Sequence, residues 1–185
     1  MSFYTGTQAE LIYNLPAPVT NASFTTQRVI SAPGTAQRAV IPAGYFSYSD
    51  KLLVKAWGTC NNAATGGSFA NVLAWDPTGG TLGSAIASFP ALVPPASTTV
   101  VWELEAWLQQ EALGSPTGLT LQCNGKWRQS VVATATFGTA NTEAMFNTSL
   151  TGLNSEALAV IELWSTSSIT GTTISVNQFD VLGLN

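Results

Sequence analysis

Glu103, Glu105 and Trp107 fall at every second position of the run Val100-Val101-Trp102-Glu103-Leu104-Glu105-Ala106-Trp107-Leu108. In an extended chain such residues share one face, and the two carboxylates stand roughly 7 Å apart. That is near the separation of the paired carboxylates that hydrolyse glycosidic bonds, and an indole on the same face could stack on a sugar ring. Residues two apart on one strand point the same way, however, and cannot flank a bond from both sides. A solvated or intersubunit face is the better account of these three side chains.

Other chemistry finds little support. The chain has no histidine, the side chain best suited to moving protons near neutral pH. A serine nucleophile therefore lacks its usual base, and nothing in the spacing of the three lysines suggests a Ser–Lys pair. Thr65-Gly66-Gly67-Ser68 and Thr78-Gly79-Gly80-Thr81 lack the lysine of a phosphate loop and read as turns. Asp50, Asp76 and Asp180 do not have the regular acidic spacing of a calcium loop. Cys60 and Cys123 match no zinc pattern and read as half-buried thiols that act as small apolar residues; a disulfide between them stays open. The expectation is no catalytic residue, no cofactor and no metal, so not an enzyme.

Composition narrows the class. Only 9% of the 185 residues are charged, 45% are hydrophobic and the net charge is −4. Arg28, Arg38, Lys51, Lys55, Lys126 and Arg128 form no basic stripe, which argues against direct binding to nucleic acid. No apolar run approaches a membrane span. The first residues lack the basic start and apolar stretch of a signal peptide.

The elements that would hold these residues are strands. Residues 1–48 are interrupted by Pro16, Pro18, Pro33 and Pro42 and read as an extended arm with short β segments at Gln27–Ser31 and Arg38–Ile41. A loop-rich segment folded back on the body is the alternative. Residues 49–185 read as the body, with strands at Lys51–Gly58, Ser68–Trp75, Thr81–Ser88, Thr98–Gln109, Gly118–Cys123, Lys126–Phe137, Ala157–Thr166 and Thr172–Gly183. A longer link covers Gly138–Asn154.

Three strands carry detail. Val100, Trp102, Leu104, Ala106 and Leu108 form a buried face opposite Glu103, Glu105 and Gln109. Cys123-Asn124-Gly125 is expected to be a three-residue hairpin loop that sets Leu121 against Trp127, with Val131, Ala133, Ala135 and Phe137 continuing the Trp127 face. Ile174 and Val176 share one parity, Phe179 and Val181 the other, so a bulge near Asn177-Gln178 is expected to bring all four to the core. Trp57, Trp75, Trp102, Trp127 and Trp164 read as core. Trp107 reads as exposed and suited to a subunit contact.

Leu53–Thr59, Thr99–Leu108, Ala159–Ser168 and Thr173–Val181 resemble a family of virion proteins from tailed bacteriophages, many of them infecting actinobacteria. The resemblance covers roughly 130 residues, and each piece alone is a weak motif. It implies an all-β fold, a single antiparallel jelly-roll β-sandwich of about eight strands, here with an extended N-terminal arm. It also implies a structural role without catalytic residues, as a head decoration (cement) protein that bridges and stabilises major capsid subunits. The implied form is a homotrimer on the capsid exterior; the start of the sequence and the lack of a membrane-length apolar run add the expectation that it is made in the host cytoplasm and is free of membrane. Phe3, Tyr4, Glu103, Glu105 and Trp107 are the candidate subunit contacts. A tail or fibre component that binds the host surface is one alternative. A carbohydrate-binding module or hydrolase built on the Glu103/Glu105/Trp107 face is another.

Overall fold

The computed structural model describes residues 9–26, 28–31, 38–48, 51–62, 65–76, 83–91, 93, 95–112, 118–131 and 142–184. Twelve strands are described: β1 (Ala9–Asn14), β2 (Val19–Ala22), β3 (Arg28–Val29), β4 (Ala39–Ile41), β5 (Lys51–Asn61), β6 (Phe69–Asp76), β7 (Ser84–Ser88), β8 (Thr99–Ala112), β9 (Leu119–Val131), β10 (Thr142–Leu153), β11 (Ala159–Ser167) and β12 (Thr173–Leu184). They form two antiparallel sheets in a jelly-roll-like sandwich. The large sheet runs β1-β12-β5-β8-β9-β10, with β2 also on β12; the small sheet runs β3-β11-β6-β7, with β4 also on β11.

Alternation explains the layers. Val100, Trp102, Leu104, Ala106 and Leu108 are all buried, as expected, and face a wall formed by Phe69, Leu73, Ile161 and Leu163 of the small sheet. Each large aliphatic side chain or Phe among them contributes roughly 1.5–3 kcal/mol when fully buried. Trp102 and Trp127 stack at 5.2 Å between ring centroids, and Phe89 stacks on Trp127 at 4.9 Å. Phe89 follows β7, and its amide donates to the Asn71 carbonyl of β6, so this ring stack ties the two sheets together. Thr148 Oγ1 of β10 donates to the Ile86 carbonyl of β7 at 2.6 Å, which joins the sheets along one side.

The expected bulge in the last strand is present. The β12–β5 register shifts between Val176 and Gln178, and Ile174, Val176, Phe179 and Val181 are all buried. Opposite the bulge stands Gly58. A Cβ there would run into the Ser175 carbonyl oxygen and the Trp102 ring, so only glycine lets the bulged strand approach this closely.

The described part of residues 9–48 lies back on the body. β1 and β2 run end to end along β12, and the Pro16-Ala17-Pro18 break between them sits beside the bulge, at a sheet edge where proline is tolerated. β3 and β4 likewise line β11, close to the two short segments expected from the sequence. Leu15, Phe24, Ile30, Ile41 and Phe46 are buried. The apolar residues of this stretch therefore complete the chain's own core, as in the folded-back alternative. Phe3 and Tyr4 lie outside the described residues.

Two expectations about the strands are corrected. Cys123-Asn124-Gly125 is no hairpin loop: β9 runs straight through it, and Leu121 pairs with Gln110 and Leu150 instead of Trp127. Leu119, Leu121, Cys123 and Trp127 keep one inward parity across the Asn-Gly pair, and pairing with β8 and β10 on both sides overrides the local turn signal. Gly125 serves the packing: a Cβ there would meet the Glu105 carbonyl oxygen and the Phe146 ring. The second correction is the link at Gly138–Asn154, most of which is β10, with Phe146 and Leu150 packed on the core. Among the described residues the body has eight strands, but by a different partition. Ala133, Ala135 and Phe137 lie outside the described residues.

Gly58→Ala is expected to lower stability by roughly 1–3 kcal/mol or more through overpacking. Urea unfolding followed by tryptophan fluorescence checks this; an unchanged midpoint would mean that β12 does not press on Gly58.

Candidate functional site

The outer face of the large sheet carries the residues that the sequence singled out. Glu103, Glu105 and Trp107 point outward from β8, and Trp107 is 38% exposed. Its indole N–H points to Glu105 Oε1 at 3.4 Å. Both carboxylates have cationic neighbours on β9: Lys126 Nζ lies 3.6 Å from Glu105, and an Arg128 guanidinium nitrogen lies 3.8 Å from Glu103. Arg128 also binds Glu143 of β10. The two glutamates project side by side from one strand, so the structure does not arrange them as opposed acid and base.

The face also gathers residues that the sequence reading passed over. Trp57 was expected in the core, yet it is 41% exposed. The signal was present: Lys51 and Lys55 mark the outward parity of β5, and Trp57 shares it. The Trp57 indole N–H donates to Gln178 Oε1 at 2.8 Å. Gln178 Nε2 in turn donates to Asp180 Oδ2, whose other oxygen accepts from Asn14 Nδ2 at 2.6 Å. This chain of side chains across β5, β12 and β1 fixes the orientation of the ring. Beside it lies an open depression of about 310 Å³ lined by Lys55, Trp57, Val101, Glu103, Glu105 and Gln178.

The remaining tryptophans, Trp75, Trp102, Trp127 and Trp164, are buried as expected. Trp164 sits on the outer side of the small sheet, where its indole N–H donates to the buried Glu162 carboxylate and Arg38 Nε approaches that group at 3.3 Å. Sequence reasoning missed this pair, because a glutamate inside an apolar strand gives no sign of its partner 124 residues earlier.

Cys60 and Cys123 are free and more deeply buried than expected, on inward positions of β5 and β9. Burial pushes both thiols up to about 12, because the thiolate would lose its hydration. Neither is poised as a nucleophile. Among the described residues no group of three or more cysteine, aspartate or glutamate side chains could hold a metal ion.

No family model matches this chain, and no curated protein does either. Among solved structures it is similar to the CBM2 module of Lactobacillus casei BL23 phage J-1 evolved Dit, at 14% identity and a TM-score of 0.40 over 97% of each chain. It is also similar to arcelin-5, a lectin-like defense protein from Phaseolus vulgaris, at 10% identity and a TM-score of 0.38 over 96% of this chain and 98% of that one. At these TM-scores neither likeness extends to the placement of individual side chains.

The buried thiols make two outcomes testable. Native protein at pH 8 is expected to react with a thiol reagent only as fast as it unfolds. Unfolded thiols ionise from about 9 upward, whereas the folded ones stay neutral to about 12. Stability is therefore expected to fall as pH rises through that window. Rapid labelling of either cysteine in the folded state would contradict the burial.

Proposed function

We propose that this chain is a structural component of a tailed-phage virion, a decoration protein of the head that acts by adhesion and carries out no catalysis. On this reading its partner is the major capsid protein and its place is the outside of the shell. Its copies form a symmetric oligomer; three-fold positions of a shell accommodate a trimer.

One observation supports the reading above others: the outer face of the large sheet combines half-exposed Trp57 and Trp107 with charges that already neutralise one another. Aromatic residues are enriched at protein contacts, and a charge with a partner on its own chain loses less when a neighbouring surface excludes water. The strand sequences that resemble phage virion proteins point the same way.

A carbohydrate-binding role is the second reading, and it too has one observation behind it. Trp57 is held rigidly beside an open depression flanked by Lys55, Glu103 and Gln178, the arrangement of a flat ring with polar neighbours that a sugar would use.

Immunogold labelling of virions with an antibody to this chain separates the readings. Label over the head is expected. Label confined to the tail, or none on the particle, would remove the decoration reading. A glycan array is expected to give no binder; saturable binding lost in Trp57→Ala would favour the second reading instead.

A further inference from the structure

Outward side chains in register across a sheet lie side by side in rows. One row of the large sheet reads Asn14, Asp180, Lys55, Glu105, Lys126, Met145 from β1 through β12, β5, β8 and β9 to β10. Its four central positions carry minus, plus, minus, plus. That order is antisymmetric about the line between β5 and β8.

The consequence is self-complementarity. A second copy turned by 180° about an axis parallel to the strands and above that line presents the same row in reverse. Asp180 then faces Lys126 of the second copy, and Lys55 faces Glu105 of the second copy. Because the relation is reciprocal, all four central positions meet an opposite charge. The adjacent row, Gln178, Trp57, Glu103, Arg128, places Glu103 over Trp57 and Arg128 over Gln178, so no like charges oppose. The row on the other side places Trp107 over Leu53. Moving the axis onto β5 or β8 instead sets lysine on lysine or glutamate on glutamate. The charges therefore disfavour an axis on either strand; of the axes between two strands, which also pair opposite charges, the one between β5 and β8 has three strands of the sheet on each side and covers the face most fully.

We infer that the outer face of the large sheet is a two-fold contact between two copies of this chain, with its axis between β5 and β8. Twisted sheets pack face to face with their strands nearly aligned, which is the orientation this axis gives. Strand spacing and rise make the face roughly 25 Å by 30 Å. Covering it buries about 700 Å² on each copy, in the range of specific interfaces. The half-exposed Trp57 and Trp107 and the depression beside Trp57 lie within the covered area. The inference stands apart from the virion reading, because it uses only the register and the charges.

The test is sedimentation equilibrium of the full chain at low salt. A dimer is expected, with association weakening as salt screens the charge pairs. Asp180→Lys and Lys126→Glu, each folded by circular dichroism, are expected to weaken self-association by roughly 100-fold or more when alone. Mixed in equal amounts they are expected to pair again, because in the mixed dimer each reversed charge meets an opposite one. A defect of folding would not be rescued by mixing. Should either variant fail to fold, Lys55→Glu mixed with Glu105→Lys makes the same test at the inner positions. A wild-type monomer or trimer, or variants that associate no better together than alone, would overturn the inference. A trimer would do so while leaving the decoration reading intact, and loss of head labelling would leave the two-fold contact intact.

Discussion

One extra residue in β12 sets the register on which both faces of the large sheet depend. Ile174 and Val176 point into the sandwich, and a regular strand would carry Gln178 and Asp180 inward after them. The irregularity at Asn177 reverses the parity. Phe179 and Val181 then fill the core, while Gln178 and Asp180 emerge beside Trp57 and Lys55. The hydrogen-bonded ring of Trp57 and the alternating charges thus follow from the same local departure that completes the core. Gly58 is the price of that departure on the neighbouring strand, since any side chain there would strike the bulged backbone.

Much of this was legible because parity is a strong constraint wherever one face is buried. The inward row of β8, the bulge in β12 and the exposure of Trp107 all follow from counting alternate residues. The same count through Leu119, Leu121, Cys123 and Trp127 would have kept β9 whole. The Asn124-Gly125 pair suggested a turn because turn propensity is local, whereas two flanking strands hold those residues extended. A place inside a strand and away from loop tips suggests the core for Trp57, but Lys55 on the same parity marks it as outward.

What the sequence could not supply was pairing between distant strands. Asp180, Lys55 and Glu105 come from strands far apart in the chain, and the order of charge they form with Lys126 exists only once β12, β5, β8 and β9 lie side by side. The folding back of residues 9–48 is of the same kind. Short apolar segments between prolines look like an arm until two long strands offer them edges, where they cover backbone groups that would otherwise remain unpaired. Among the described residues, the outer face of the large sheet carries a defined pattern of charge in register.

Deleting Asn177 tests the register most directly. Without the extra residue a regular β12 still carries Ile174, Val176, Phe179 and Val181 inward. The deletion variant is therefore expected to fold, to unfold cooperatively in urea and to keep its near-ultraviolet tryptophan signal. Deleting Lys55 from the regular β5 must instead turn part of its apolar row outward and is expected to leave the chain unfolded. If removal of Asn177 proves as destructive as removal of Lys55, the bulge does not set the register and the outward row of charges loses its basis.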